Sequence, residues 1–197
     1  MVYMVKRHKK YSHIVESAKE LFWKHGIKRV SVEEICRHSS VSKMTFYKYF
    51  KNKEDLACTV MRLITEESVE EYKTIMKSTI SYKEKLEKIV SLKVSGAKDV
   101  SYEVLKDIYS NDFPALNKLV QEESKKNIEL VVDDLKKAQK AGNIRNNINI
   151  DFILYLLKRS SLLIDDAELN ELFETPQKLV EAVVEMFMYG ILSREQN

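Results

Sequence analysis

Glycine and proline are scarce in this chain, with 4 glycines and 2 prolines among 197 residues. Because turn-rich β folds need these residues at their turns, the composition favours long uninterrupted helices. Cysteine is equally rare. Cys36 and Cys58 each lie on the apolar face of an expected helix, so we interpret them as buried thiols rather than as a redox pair.

Long apolar runs are absent as well. No segment approaches the roughly 18 apolar residues that a membrane-spanning helix needs. The basic start of the chain is not followed by an apolar stretch of signal-peptide length. With 44% hydrophobic and 32% charged residues, the composition is that of an ordinary globular protein. We therefore expect a cytoplasmic protein that has no membrane partner.

Catalytic and metal-binding signatures are missing too. The sequence contains no glycine-rich phosphate loop and no GxSxG, HExxH, CxxC or calcium-loop motif. The four histidines lack the spacing that metal sites need. The acidic pairs Asp133-Asp134 and Asp165-Asp166 are adjacent along expected helices, so their members point to different faces. We expect no catalytic residues, no metal and no cofactor.

What the sequence does have is a lopsided charge. Residues 1–53 hold 13 Lys or Arg and 4 Asp or Glu, a net charge of +9, whereas residues 54–197 hold 20 and 26, a net charge of −6. A basic region of this kind suits nucleic acid, although a solvated face or an acidic membrane would suit it too. The residues before position 11 form a basic arm that can reach a groove or stay a solvated terminus.

Three helix starts lie close together between positions 31 and 56. Ser31 and Glu34 form a capping box. Ser42 can cap a second short helix, and Asn52 with Asp55 can cap a third. Helices so short and so close must cross steeply, with their apolar residues on one side. The other side presents Lys43, Met44, Thr45, Tyr47, Lys48 and Tyr49. This pattern indicates a helix-turn-helix with a basic, aromatic recognition helix.

At these residues the chain resembles the TetR-type one-component transcriptional regulators. The residues in register with the family pattern are Gly26, Ser31, Ile35, Val41, Ser42, Thr45, Phe46, Tyr47, Tyr49, Phe50, Lys53, Glu54 and Leu56. Cys36 replaces a small alanine of that pattern, and packing should survive because cysteine is nearly as small. Ser39-Ser40 replaces Ala-Gly in the turn. Ser40 stands where glycine usually allows a positive φ, which a serine reaches only at a cost.

The resemblance implies an all-α fold. It places an N-terminal three-helix DNA-binding domain in residues 1–53 and a C-terminal helical ligand-binding and dimerisation domain in residues 54–197. By motif position and exposure, the residues expected at phosphates are Ser31, Ser42, Tyr47, Tyr49 and Lys53, and those expected at base edges are Lys43, Met44, Thr45 and Lys48. Lysines can donate to guanine, and the methyl groups of methionine and threonine can meet the thymine methyl.

Aromatic residues and a methionine of the C-terminal half are candidates for a ligand pocket. The pocket candidates are Tyr72, Met76, Tyr102, Tyr109, Phe113 and Tyr155. Such residues at helical spacing also serve as ordinary core residues, and that alternative stays open for each of them.

The last two expected helices are apolar on more than one face. A surface helix of a monomer has one apolar stripe, so this wide coverage indicates one face in the core and another against a second copy of the chain. The residues expected in a homodimer interface are Phe152, Leu156, Val183, Phe187 and Gly190. Alternatively, these are two central core helices of a monomer.

The resemblance implies a dimeric repressor that binds a near-palindromic double-stranded DNA operator and is released by a small-molecule effector. The tyrosines and methionines suit an apolar or aromatic effector. A helical adaptor for protein partners is one alternative, which would lack sequence-selective DNA binding. An all-helical enzyme is another, which would show a buried cluster of titratable groups with perturbed pKa values.

Overall fold

A computed structural model describes residues 9–159 and 171–191. Within these ranges the regular elements are all α-helices, which confirms the all-α fold. The helices are α1 Lys9–His25, α2 Val32–His38, α3 Lys43–Tyr49, α4 Lys53–Lys77, α5 Tyr82–Gly96, α6 Tyr102–Tyr109, α7 Pro114–Lys140, α8 Ile150–Arg159 and α9 Pro176–Ile191. In the described part of the chain, no helix has the length and apolar character that crossing a membrane would require.

The chain divides into two compact units. The described residues of the first unit are 9–65 and 101–120, and those of the second are 66–100, 121–159 and 171–191. The first unit therefore contains α6 and the start of α7 in addition to the helix-turn-helix. These units are defined by packing, and the division of roles expected at residue 53 stays a prediction. Side chains of α6 and α7 join the first unit through long-range contacts that a sequence pattern does not reveal.

The core of the first unit follows the predicted apolar stripe of α1. Ile14, Ala18 and Phe22 are almost fully buried, and so are Phe46 of α3 and Leu56 of α4. Burying one large apolar side chain contributes about 1.5–3 kcal/mol relative to leaving it in water. The short helices α2 and α3, with seven residues each, are therefore held by a shared apolar centre rather than by their own helical propensity.

The short helices α2 and α3 begin at the N-cap residues that the sequence predicts, Ser31 and Ser42. The Glu34 N–H donates to Ser31 Oγ at 3.2 Å, and the Ser31 N–H donates to Glu34 Oε2 at 2.8 Å, which completes the capping box. The Thr45 N–H donates to Ser42 Oγ at 3.2 Å. These bonds satisfy N–H groups that the first turn of a helix leaves without partners, so α2 and α3 begin at defined residues.

The second unit has a core of its own. Leu135 and Ala138 of α7 pack with Ile150 and Ile153 of α8 and with Ile144 of the connecting segment. α9 packs against α5, whose buried residues are Leu86, Ile89 and Val90. These helices enclose the space in which the candidate effector cavity lies.

Candidate nucleic-acid interface and apolar cavity

α3 has one buried side and one side in water. Phe46 is fully buried, whereas Met44 is 87% exposed and Tyr47 is 56% exposed. Lys43 and Lys48 are exposed on the same short helix. Packing within the unit gives no reason for a protruding methionine and tyrosine between lysines. A partner surface that is anionic and partly apolar, such as the major groove of DNA, does give one.

Lys43 is not unpaired in the free protein. Its ammonium forms an ion pair with the Glu33 carboxylate, and the hydrogen bond between them raises the pKa of Lys43 and lowers that of Glu33. Both side chains are exposed, and exposed pairs of this kind contribute little to stability. Lys43 can therefore exchange Glu33 for a base edge at small cost.

Tyr49 belongs to an aromatic cluster at the other end of α3. Its ring meets Tyr11 edge-on at a centroid distance of 5.7 Å, and Tyr11 stacks on Phe50 at 5.3 Å. Tyr49 is half-buried as a result. The cluster connects the end of α3 to α1 and fixes the position of the Tyr49 ring, whose expected phosphate contact stays a prediction.

The two serines expected at phosphates both serve as helix caps. The Ser31 hydroxyl donates to Glu34 Oε2 at 2.8 Å, and Ser42 Oγ lies 3.0 Å from Thr45 Oγ1. Their hydroxyls stand at the first turns of α2 and α3, where helix N-termini favour an anion. The phosphate and base contacts expected of Ser31, Ser42 and Thr45 stay predictions.

Lys53 is engaged within the protein to an extent that the sequence did not reveal. Its Nζ donates to the carbonyl oxygens of Lys28 at 3.0 Å and Val30 at 2.8 Å, and it lies 5.7 Å from the centre of the Phe113 ring. Burial lowers the pKa of Lys53. Two of the three ammonium donors thus hold the segment between α1 and α2. The expected phosphate contact has only the third donor and stays a prediction.

An aspartate of α6 holds the same segment from another side. The Lys28 N–H donates to Asp107 Oδ2 at 2.8 Å, and the Lys28 ammonium pairs with Asp112 at 2.6 Å. Gly26 has φ +82, and a Cβ built on it would lie 2.8 Å from Asp107 Oδ2. Only glycine fits here, because its backbone is left-handed and the carboxylate approaches closely. The sequence pattern of an eight-residue helix carries no signal for Asp107.

The turn between α2 and α3 has the positive φ that the sequence led us to expect at Ser40, where the family pattern has glycine. Ser40 has φ 54, in the left-handed region. The Val41 N–H still donates to the Cys36 carbonyl oxygen at 2.9 Å, so the turn closes normally. Serine therefore keeps the family's turn at an energetic cost.

A cavity of about 240 Å³ lies within the second unit. Tyr72 and Met76 of α4, two of the expected pocket residues, line it, and their contact with a ligand stays a prediction. The other lining residues are Ser68 and Val69 of α4, Tyr82, Leu86, Ile89 and Lys93 of α5, Asn127, Ile128, Leu130, Val131, Asp134 and Leu135 of α7, and Val184 of α9. Most of them are apolar, so the cavity suits an apolar molecule with a few polar groups.

Four of the six predicted pocket residues do not line this cavity. Tyr102, Tyr109 and Phe113 belong to the first unit, and Phe113 is buried there beneath Lys53. Tyr155 is 56% exposed on α8. Helical spacing showed that these side chains could face inward, but not which core they would enter.

One polar pair inside the cavity is satisfied. The Tyr72 hydroxyl donates to Asp134 Oδ2 at 3.0 Å. Burial, with Asp134 as a second cause, raises the pKa of Tyr72, and the same causes raise that of Tyr82 to about 12. Both phenols are therefore neutral hydrogen-bonding groups at physiological pH.

Exposed apolar side chains stand on α8 and α9. Phe152 is 57% exposed and Met186 is 67% exposed. Of the other expected interface residues, Leu156 and Val183 are half-buried and Gly190 is exposed. The side chain of Phe187 lies outside the described residues.

For the described part of the chain, no group of three His, Cys, Asp or Glu could hold a metal ion.

Comparisons with known proteins agree with this arrangement. A family profile for bacterial regulatory proteins of the tetR family matches residues 14–58. The fatty acid metabolism regulator protein of Bacillus subtilis (strain 168) is 30% identical over 88 residues, which are 45% of this chain and 45% of that protein. The matched segment thus spans less than half the length of this curated relative.

Two solved structures share the fold over nearly the whole chain. The fatty acid degradation regulator FadR from Bacillus halodurans has a TM-score of 0.69 at 18% identity, covering 92% of this chain and 96% of that chain. FadR from Bacillus subtilis, in complex with stearoyl-CoA, has a TM-score of 0.66 at 20% identity, covering 92% and 99%. At these identities the likeness shows the fold alone.

The capped helix-turn-helix with its exposed, basic α3 is a DNA-binding domain of the kind that the tetR family of bacterial regulatory proteins contains. The match to that family covers residues 14–58.

Proposed function

We propose that this protein is a homodimeric repressor, which binds a near-palindromic operator through α3 and leaves it when a small molecule enters the cavity of the second unit. The observation that carries the DNA-binding part is the exposed face of α3. Lys43, Met44, Tyr47 and Lys48 project from a helix whose opposite side is anchored by the buried Phe46. A role on chromosomal DNA places the protein in the cytoplasm.

Dimerisation is supported by the apolar side chains that α8 and α9 leave in water. Phe152 and Met186 are more than half exposed, a costly arrangement unless a second copy covers them. A twofold dimer presents two copies of α3 to two half-sites, about one helical turn or somewhat more apart. In this arrangement residues 1–53 supply the DNA contacts and residues 54–197 supply the effector and dimer contacts.

An apolar effector is supported by the cavity lining and by what relatives bind. The B. subtilis FadR structure contains stearoyl-CoA, and the curated B. subtilis relative is a fatty acid metabolism regulator. The cavity here is lined mostly by aliphatic side chains. Release requires that the effector bind the DNA-incompetent state more tightly. Changing a 99:1 ratio to 1:99 takes about 5.5 kcal/mol of differential binding.

The decisive experiment for DNA binding is selection of duplexes from a random pool by the full-length chain. We expect a near-palindrome to emerge, with an affinity that falls steeply as salt rises, because Lys and Arg displace ions condensed on the phosphates. If no sequence is enriched, or if the affinity for DNA does not change with salt, the repressor proposal is wrong. The alternative, a helical adaptor for protein partners, is then favoured.

A further inference from the structure

Lys93 lies on the inward face of α5. The buried Leu86, Ile89 and Val90 mark the face that packs into the second unit, and Lys93 follows them in the same helical register. It lines the cavity. Its side chain is nevertheless exposed to solvent, so we place it at the open edge of the cavity rather than among packed atoms.

No acidic side chain among the described residues pairs with the Lys93 ammonium. Burial lowers the pKa of Lys93, and no neighbouring carboxylate opposes that effect. The acid that lines the same cavity, Asp134, accepts a hydrogen bond from Tyr72 and lies within 3.6 Å of the Lys137 ammonium. The Lys93 ammonium lines an apolar cavity and has no carboxylate partner among the described residues, so it is available to pair with an anionic group of a ligand.

The position of Lys93 along the cavity follows from how α4 and α5 pair. The Lys85 ammonium donates to the Met76 carbonyl oxygen at 2.9 Å, which places the start of α5 beside the end of α4. A groove beside them is lined by residues 67–75 of α4 and 88–95 of α5, so the two helices run antiparallel. Lys93 is therefore at the Ser68 end of the cavity, away from Tyr82.

The two ends of the cavity are polar, and the part between them is apolar. Tyr82 and Lys93 are eleven residues apart on α5, about 16 Å along its axis at 1.5 Å per residue. Leu86 and Ile89 line the intervening stretch, with Val131 among the residues opposite. The volume is about 240 Å³, and the lining residues extend along this length of α5, which suits an extended chain better than a fused ring system.

We propose that the cavity binds an unbranched carboxylic acid, with its carboxylate at Lys93 and its hydrocarbon chain extending along the apolar lining toward Tyr72. The inference rests on the proposed function and deepens it by naming the chemical class of the effector. Ser68 and Asn127 also line the cavity and can donate hydrogen bonds to the carboxylate. Pairing inside a partly dry site makes such charge-assisted bonds strong. A thioester lacks the free carboxylate that this site requires.

The test is calorimetric titration of the full-length protein, without DNA, at neutral pH. The probes are decanoate, decan-1-ol, decyltrimethylammonium and decanoyl-CoA, which share a chain and differ in the head group. We expect decanoate to bind at least tenfold more tightly than the alcohol. In Lys93→Met this preference should disappear, and Lys93→Arg should restore much of it. Lys83→Met changes a lysine of the same helix that does not line the cavity; it is the matched control and should behave as wild type.

Stability supplies an independent readout. Lys93→Met replaces an ammonium without a carboxylate partner among the described residues by an apolar side chain of similar length, so the ligand-free variant should melt at no lower temperature than wild type. A purely structural role for Lys93 would lower the melting temperature. The melting curve also shows that any loss of decanoate binding does not come from a failure to fold.

The possible results separate this inference from the proposed function. If decanoate binds through Lys93 but leaves operator affinity unchanged, the carboxylate site stands and effector-controlled release fails. If no probe binds, or if decanoate binds Lys93→Met as tightly as wild type, the carboxylate site is wrong whatever the DNA assays show. Preference for the ammonium or for the coenzyme A thioester overturns it equally.

Discussion

One lysine of the first unit and one lysine of the second unit have different surroundings. In the first unit, Lys53 donates hydrogen bonds to two backbone carbonyl oxygens, and Asp107 accepts one from the Lys28 N–H. These side chains therefore satisfy backbone hydrogen-bonding groups. In the second unit, Lys93 lines a cavity with no described acid beside it. The comparison teaches that Lys53 holds the backbone of the helix-turn-helix in place, whereas Lys93 stays available to the ligand proposed above. The predictions below test that contrast, from the largest expected effect to the smallest.

The largest effect should follow from emptying the packed centre of the first unit. Phe46→Ala removes a fully buried ring from α3 and should lower the free energy of unfolding by about 3–5 kcal/mol. Tyr47→Ala changes the next residue, which is 56% exposed, and should cost less than about 0.5 kcal/mol of stability. Denaturant titration measures both values. Similar losses for the two variants would mean that α3 is not divided into a packed side and a free side.

A charge on α9 should separate the copies of the second unit. Val183→Glu places a carboxylate on the helix expected at the dimer interface and should yield monomers, with operator affinity lower by about a hundredfold because the half-sites lose their linkage. Val183→Leu keeps the apolar surface and serves as the control. Sedimentation and a DNA titration measure the two effects. An unchanged dimer mass in the glutamate variant would place the interface elsewhere.

Substitutions of Lys43 and Lys53 should have different effects on DNA binding and on stability. Lys43→Ala should lower the preference for one base in each half-site by roughly ten- to hundredfold while leaving stability unchanged. Lys53→Met should weaken binding to all sequences alike and also destabilise the fold, because the Lys28 and Val30 carbonyls lose their donor. Binding arrays and thermal melts report these effects. A sequence-independent loss for both variants would contradict the division of roles.

The smallest effect should be a gain at the strained turn. Ser40→Gly removes the cost of a left-handed backbone and should raise stability by up to about 1 kcal/mol, after part of the gain is lost to the greater freedom of glycine when unfolded. Ser40→Ala keeps the strain and should give no gain. Melting temperatures of the two variants decide the matter, and equal values would show that the turn is unstrained.

Local features of the first unit could be predicted because the residues involved are close in sequence. The capping box joins Ser31 to Glu34, and the cap of α3 joins Ser42 to Thr45, each across three positions. The positive φ of Ser40 was also expected, since the family pattern holds glycine there. In the second unit, the same reasoning identified Tyr72 and Met76 as cavity residues from the inward face of α4.

Contacts between distant residues could not be predicted in this way. Asp107 meets the Lys28 N–H across 79 positions, and the Ala115 N–H donates to Glu54 at 2.7 Å across 61 positions. Periodicity shows that a side chain faces inward but does not show which inward-facing surface it meets. For this reason Phe113 was expected in a ligand pocket, whereas the structure places it beneath Lys53 in the first unit.

The sequence by itself determined the helical class, the starts of the short helices and the face of α3 that stays in water, because these depend on composition and on neighbours a few residues away. Only the tertiary structure decided that α6 belongs with the helix-turn-helix, that Lys53 bonds to carbonyl oxygens, and that Lys93 faces a cavity without a described counter-ion. These outcomes depend on which helices meet. Which helices pack together is decided by the free energy of the whole chain, so it cannot be inferred from any single segment.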